Sequence, residues 1–349
     1  MNAHIFLLIP IILIFSFFLI LFGVSLFISF KKKNSIKHSY SIIIPCRNEE
    51  HTLPVLLHSL ENLNYPEKLF EVILIDDASS DSTSKIIQEF CKNRSNYTAV
   101  HIANKSEEYK GKKYALKKGI EKAQFENLLF TDADCMMPSN WIDSFNKFIC
   151  KNVGMVVGYS PEKGVSSFRR FSQIITADFY CATINLGVPF SNNGRNLYIN
   201  KKAYEQVDGF EKIKSFTCGE DKLLLNLIKN TQFKIIYNSD CKIYTHPQIN
   251  DFANQQKRRY GQFPLSSLLY KVVSLFILLF FLYLPFHVIY FRDWLGLSIY
   301  YTSFLIFWIS GLIKHRESFH FFDLFYIIFY PYYLIYYSLL GMFSKWTWK

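Results

Sequence analysis

Apolar residues follow two patterns along this chain. Near both ends they run almost without interruption; between the ends, short apolar runs alternate with amphipathic stretches and close on acids. Ile5–Phe30 is apolar, uncharged and long enough to span a bilayer, and Lys31, Lys32 and Lys33 follow at once. A signal peptide carries positive charge before its apolar run and a small-residue cleavage site after it. This segment has neither and reads as a retained anchor. Positive-inside bias puts the three lysines, and the residues after them, in the cytoplasm. Val272–Phe291, Trp294–Ile313 and Leu324–Phe343 are each about the length of a membrane helix. Threading from a cytoplasmic Lys271 returns the basic connection at Lys314, His315 and Arg316 to the cytoplasm and leaves Ser344–Lys349 outside, where its two lysines fit poorly. With Asp323 near its start and Pro331 inside, the last segment reads either as a fourth span or as a re-entrant or interfacial helix.

The middle alternates strand and helix signals. Tyr40–Pro45, Glu71–Asp76, Thr98–Ile102 and Leu128–Thr131 read as strands, and Thr52–Asn62, Thr83–Lys92, Lys113–Ala123 and Lys222–Lys229 as helices. Pro138 reads as the end of the apolar run that opens at Leu128. This alternation predicts an α/β domain with a mostly parallel sheet covered on both faces. Ligands collect at the carboxyl ends of the strands in such sheets. Pro45, Asp76 with Asp77, and Asp132 with Asp134 all fall at predicted strand ends. The predicted organisation is an anchor with a basic juxtamembrane segment (residues 1–38), a cytoplasmic α/β domain (39–264) and a C-terminal membrane region of about three spans (265–349).

Composition sharpens this picture in three places. Hydrophobic residues make up 50% of the chain and aromatics 18%, and that load lies at the two ends, as expected for membrane segments around a soluble middle. The net charge of +11 suits nucleic acid, anionic lipid headgroups or phosphorylated substrates, and no zinc-finger spacing or RNA-binding aromatic motif supports the first. The seven cysteines contain no Cys-x-x-Cys pair, which points to buried thiols in a reducing compartment. Neither a Gly-x-Gly-x-x-Gly turn nor a Gly-Lys-Ser/Thr phosphate loop is present, disfavouring dinucleotide oxidoreductases and P-loop NTPases. A transporter or channel needs ionisable residues within its spans, and these have almost none. Two carboxylates one residue apart, Asp132 and Asp134, can face one Mg²⁺ or Mn²⁺ that shares its shell with substrate phosphates. Alone, the pair also reads as an acidic turn.

Five stretches in register resemble the family 2 glycosyltransferases, inverting nucleotide-sugar enzymes with a GT-A fold. They are Ile42–Glu50 (with Pro45, Arg47 and Glu49), Val72–Asp81, Thr131–Asp134, Cys218–Asp221 and Gln256–Tyr260. The likeness covers roughly residues 39–262. It implies a nucleoside pocket of Pro45, Arg47, Glu49, Asp76 and Asp77, and a metal and diphosphate clamp of Asp132 and Asp134. Asp76 and Asp77 also read as a helix N-cap pair, though Asp81 fits that role better. Gly111–Lys117 resembles the family's Gly-Lys-x-x-Ala-Leu-Asn stretch, with Lys112 approaching the nucleotide and Lys117 in place of the usual Asn; Lys113, Lys117 and Lys118 read as a solvated helix face. Asp221, closing a Gly-Glu-Asp loop, is the implied catalytic base, with N-terminal capping of the following helix as the competing reading. Glu220, Gln256, Arg259 and Tyr260 are implied at the acceptor and diphosphate, Tyr260 departing from the Trp of the family's Gln-x-x-Arg-Trp signature. The last stretch also reads as a basic amphipathic helix at a bilayer surface. Ser191–Asn196 resembles an acceptor-side Gly-x-Asn loop opened by Ser, with Asn193 or Asn196 at the donor sugar.

The implied protein is an integral membrane glycosyltransferase of a bacterial inner membrane. It would move a sugar from a nucleotide donor, UDP-linked by preference, to a lipid or lipid-linked acceptor, with Mg²⁺ or Mn²⁺ and no nucleic acid. A processive polysaccharide synthase and a catalytically idle glycosyltransferase-like subunit are the alternatives.

Overall fold

The computed structural model describes residues 3–28, 36–246, 253, 256–257 and 268–343, excluding the side chains of 3–9, 268–270, 273, 342 and 343. The predicted anchor lysines Lys31–Lys33, and Arg259 and Tyr260, lie outside the described residues. The chain divides into two compact units: a sheet unit (Ile28–Gly164 and Tyr180–Pro247) and a helical unit (Met1–Phe27, Val165–Phe179 and Gln248–Lys349).

The strands are β1 (Tyr40–Cys46), β2 (Phe70–Asp77), β3 (Tyr97–Ile102), β4 (Asn127–Phe130), β5 (Cys135–Met136), β6 (Val153–Tyr159), β7 (Leu197–Asn200), β8 (Lys234–Lys242) and β9 (Tyr244–Thr245). Seven form one sheet in the order β3-β2-β1-β4-β7-β6-β8, and β5 pairs with β9 in a small ribbon. All pairings in the large sheet are parallel except those of β7 with β4 and β6. The helices of this unit are α2 (Leu53–Glu61), α3 (Thr83–Cys91), α4 (Lys113–Lys122), α5 (Trp141–Asn146), α7 (Lys201–Gln206) and α8 (Glu220–Ile228); α6 (Ser167–Asn185) begins in the helical unit and ends here.

The central strands are apolar on both faces because both faces are covered, as parallel sheets require. Ile42, Ile43 and Ile44 of β1 are all fully buried. Ile42 and Ile44 share a core with Leu53, Leu56, Leu57 and Leu60, the i, i+3, i+4 and i+7 stripe of α2. Ile43 and Ile75 face α4 instead, where Gly119 permits close approach: a Cβ there would lie 2.6 Å from Ile43 Cγ2 and 2.9 Å from Ile75 Cδ1.

Three sequence expectations need correction. The run from Leu128 to Pro138 is not one strand: β4 stops at Phe130, level with Ile43, three residues before β1 ends, and β5 is a separate element. The acids at 132 and 134 therefore leave the sheet at its carboxyl edge. Lys113 is not on a solvated face. It is fully buried, because it shares the inward stripe of Leu116 and Ile120, and its ammonium donates to the Phe216 carbonyl. Strands β6, β7 and β8 complete a sheet of which only the first four strands could be given bounds from the sequence.

In the helical unit, α1 (Ala3–Ser25) packs along α10 (Trp294–His315). With α9 (Leu268–Phe291) and α11 (Asp323–Phe343), α10 supplies three helices long and apolar enough to cross a membrane; the described apolar part of α1, Pro10–Ser25, is shorter. The last segment is one continuous helix with Pro331 inside it. Two polar contacts are buried here: Asp178 of α6 lies 3.0 Å from His315 Nδ1, and Arg170 of α6 pairs with Asp323.

Replacing Gly119 by Ala forces a methyl group against Ile43 and Ile75 and should destabilise the sheet unit by about 1–3 kcal/mol. Thermal unfolding of the purified protein should show a lower midpoint. An unchanged midpoint would mean that α4 does not need this close packing.

Candidate active site

Strand register builds the site. β1, β2 and β3 end level with one another, with Cys46 opposite Asp76 and Asp76 opposite His101. Pro45 lies near the end of β1 and is half-buried, and Arg47 follows it. Asp76 is almost fully buried with both oxygens engaged: Oδ1 accepts from the Ser79 backbone N–H at 3.1 Å, and Oδ2 lies 2.8 Å from His101 Nδ1. His101 is 55% exposed, so the pair presents an imidazole where the sequence suggested a bare carboxylate. Burial raises the Asp77 carboxyl, Arg47 opposes that shift and the Asp76 charge adds to it. Glu49 is tied locally at the start of α2, accepting from Thr52 Oγ1 at 2.5 Å.

The second cluster lies where β4 and α4 meet α8. Gly111, at φ +69° and with no room for a Cβ against the Thr217 carbonyl, turns the chain into α4. Lys112 then places its Nζ 2.6 Å from Asp132 Oδ1 and 3.3 Å from Glu220 Oε1. Burial opposes its charge, but Asp132 and Glu220 outweigh burial and hold the lysine above its ordinary range. Glu220 and Asp221 open α8 after Gly219, which adopts a left-handed conformation. The helix cap is thus Gly219, and Asp221 sits in the first turn. Gly194 lies against it: a Cβ there would be 3.4 Å from Asp221 Cβ. Burial, reinforced by the Glu220 charge, pushes Asp221 up to about 6 against the backbone N–H groups of Lys222 and Gly194 and the Lys112 charge. Lys112, Thr131, Asp132, Gly194, Glu220 and Asp221 line one cleft with an apolar floor of Phe130, Leu197, Phe210 and Leu224.

Arg195 is a cation beside the acid pair to which the sequence reading gave no role. The antiparallel pairing of β4 with β7 sets Phe130 opposite Leu197. Continued two residues further, that register brings Arg195 to Asp132, and its Nε lies 3.8 Å from Asp132 Oδ2. Its Nη1 lies 3.8 Å from Glu162 and 3.2 Å from Thr245 Oγ1. Burial and the neighbouring Asp132 charge raise Asp134, and Arg195 is its main counterweight. Asn196 is fully buried and structural, donating to the carbonyls of Tyr159 and Cys241 and accepting from Trp141 Nε1. Asn193 Oδ1 accepts from the Arg195 backbone N–H at 3.2 Å. Gln256 is buried and belongs to the helical unit.

Residues 41–210 match the family model Glycosyl transferase family 2. The mannosyltransferase PcManGT from Pyrobaculum calidifontis, solved in complex with GDP-Man and Mn²⁺, superposes with a TM-score of 0.61 over 97% of this chain and 99% of that one, at 15% identity. At that identity the likeness establishes the fold. Residues 41–210, just under half of the chain, thus match a glycosyl transferase family 2 domain, and the superposition shows a GT-A fold.

Among similar proteins are the poly-beta-1,6-N-acetyl-D-glucosamine synthase of Staphylococcus epidermidis, 36% identical over 121 residues (34% of this chain, 28% of that protein), and the undecaprenyl-phosphate 4-deoxy-4-formamido-L-arabinose transferase of Proteus mirabilis, 32% identical over 111 residues (32% of each). The dolichyl-phosphate beta-glucosyltransferase of Mus musculus is 36% identical over 103 residues (27% of this chain, 30% of that protein). The chain spans under a third of the length of each of these relatives.

A general base at Asp221 predicts a transfer rate that falls tenfold per pH unit on the acid side, with its midpoint near the carboxyl's value of about 6. The carboxylate form is lost as pH drops through that value and is fully present above it. A rate–pH profile flat down to pH ~4, the ordinary carboxylate range, would remove Asp221 from the role.

Proposed function

We propose that this protein is a membrane-bound inverting glycosyltransferase that moves a sugar from a nucleotide donor, UDP-linked, to a lipid or lipid-linked acceptor. The observation that carries the reading is the meeting of Lys112, Asp132, Glu220 and Asp221 in one cleft of the sheet unit, beyond the carboxyl edge of its parallel strands.

The chemistry divides among named groups. The acceptor hydroxyl attacks the anomeric carbon, its proton passes to Asp221, and the bond from that carbon to the diphosphate oxygen breaks, inverting the configuration. Negative charge builds on the leaving diphosphate, and Lys112 and Arg195 are the cations placed to meet it. The nucleoside end falls to Pro45, Arg47, Glu49 and Asp77, with Asp76 acting through His101. Gln256, Arg259 and Tyr260 belong to the acceptor and diphosphate side of this reading.

A divalent cation fits the acids that remain. Five carboxylates, Asp132, Asp134, Glu162, Glu220 and Asp221, face four cations: Lys112 and Arg195, with Lys113 acting on Glu220 and Lys222 on Asp221. This excess of carboxylate suits Mg²⁺ or Mn²⁺ on Asp132 and Asp134. Among the described residues no three His, Cys, Asp or Glu side chains form a ready metal cage, so diphosphate oxygens and water would complete the shell. When bound, the ion neutralises charge on the leaving group.

The three apolar helices and the lipid-phosphate substrates named for two relatives support transfer at a membrane; the proposed placement of the catalytic domain on the cytoplasmic side of a bacterial inner membrane rests on the lysines that follow the first apolar segment. Processive polymer synthesis is the second reading, favoured by the polysaccharide synthase among the relatives.

The test is transfer of radiolabelled sugar from a panel of nucleotide donors by the purified protein in native lipid extract with Mn²⁺. Label should partition into the organic phase and disappear with chelator, and Asp221→Asn should lower the rate by about 10²–10⁴. Label in a large aqueous polymer would establish the processive reading. Undiminished turnover in Asp221→Asn would contradict the catalytic assignment, and nucleotide binding without transfer from any donor would favour an idle subunit.

A further inference from the structure

Arg195 holds its place in an unusual way. Its backbone is fixed: the N–H donates to Asn193 Oδ1, and the next residue, Asn196, is locked by three buried hydrogen bonds. Its guanidinium is not fixed in the same way. Three acids surround it, Asp132, Asp134 and Glu162, yet the ion-pair approaches are both 3.8 Å. Its hydrogen bond among the described residues goes to the neutral Thr245 hydroxyl at 3.2 Å. A guanidinium committed to a carboxylate closes on it with two short parallel bonds. Lys112, by contrast, sits 2.6 Å from the same Asp132. The Asp-x-Asp pair is thus flanked by one tightly held cation and one loosely held cation on a rigid base.

We propose that Arg195 is an exchangeable counter-cation. It balances Asp132 and Asp134 while the cleft is empty, then yields them to a divalent cation and turns its fork to the incoming diphosphate. The inference rests on the metal-assisted transfer reading given above. The physical reason is competition. A divalent ion on the two carboxylates repels a guanidinium a few ångströms away, while a diphosphate offers the same fork two adjacent sets of anionic oxygens. Swinging the head of a long side chain accomplishes the exchange without disturbing the β4–β7 register that sets its base.

The proposal makes opposite demands on two ligands that are normally expected to weaken together. Mn²⁺ binding is read by electron paramagnetic resonance on the detergent-solubilised full chain, and UDP binding in saturating Mn²⁺ by calorimetry. The variants Arg195→Gln and Arg195→Lys are compared with the wild type, with Asp134→Ala as the control for the acid pair. In Arg195→Gln, Mn²⁺ alone should bind several-fold more tightly, because its competitor is gone, while UDP should bind about tenfold more weakly, the loss of one charge-assisted contact. Arg195→Lys, which keeps the charge and loses the fork, should retain wild-type-like Mn²⁺ affinity and still lose UDP affinity. Mn²⁺ affinity that is unchanged or reduced in Arg195→Gln, with Arg195→Lys folded and binding Mn²⁺, would overturn the exchange. So would undiminished UDP affinity. A wild-type protein that binds no Mn²⁺ with or without UDP would overturn the metal reading itself, a different failure from a wild type that binds Mn²⁺ but cannot be told apart from Arg195→Gln.

Discussion

The contact between Lys112 and Asp132 is the constraint on which the sheet unit's geometry converges. It joins the start of α4 to the residue that leaves β4, and through Glu220 it reaches the first turn of α8. Each of those elements must arrive at the right height. α4 can do so because Gly119 lets it settle onto Ile43 and Ile75, and because Gly111 turns the chain beneath the Thr217 carbonyl. β4 can do so because it is only four residues long, ending before its neighbour β1 and releasing its acids beyond the sheet edge. Buried Lys113, donating to the Phe216 carbonyl, fastens the segment ahead of α8 from the other side. A half-buried carboxylate is tolerable only beside a cation, so the packing that brings these elements together and the charges that make them useful are one requirement.

That requirement also separates the acids by role. Asp132 has a lysine at hydrogen-bond distance. Asp134 has a guanidinium as its main counterweight. Asp221 lies among burial, Glu220 and two backbone N–H groups, and is the acid pushed up to about 6. Acids whose environments differ in this way can serve as a cation clamp and as a proton acceptor at one pH.

The sequence disclosed those features that local chemistry fixes. Strands β1, β2 and β4 are legible because a buried parallel strand is apolar on both faces, and each run stops at an acid or a proline. Asp132, Asp134 and Asp221 are legible because acids at strand and helix ends stand out against apolar runs. What long-range pairing fixes was not legible. Arg195 lies 63 positions from Asp132 in the chain and reaches it only through the antiparallel register of β4 and β7, and β7 is a four-residue strand with little pattern of its own. His101 likewise meets Asp76 only because β3 pairs with β2. Lys113 shows the opposite error. Its spacing with Leu116 and Ile120 marks the inward face, and its charge concealed a position that the periodicity had declared. In the helical unit, Asp293 caps α10 by accepting from the Gly296 backbone N–H, and its other oxygen lies 3.2 Å from His287 Nε2, six positions earlier in the chain.

The account stands on Asp132 and Asp134 joining a nucleoside diphosphate through a divalent ion. The most direct measurement is the paramagnetic relaxation that Mn²⁺ induces in the ³¹P resonances of UDP bound to the full-length protein. Direct coordination predicts strong relaxation of both phosphorus nuclei, lost in Asp134→Ala. Bound UDP whose phosphorus signals Mn²⁺ leaves unaffected, or affects equally in Asp134→Ala, would contradict it.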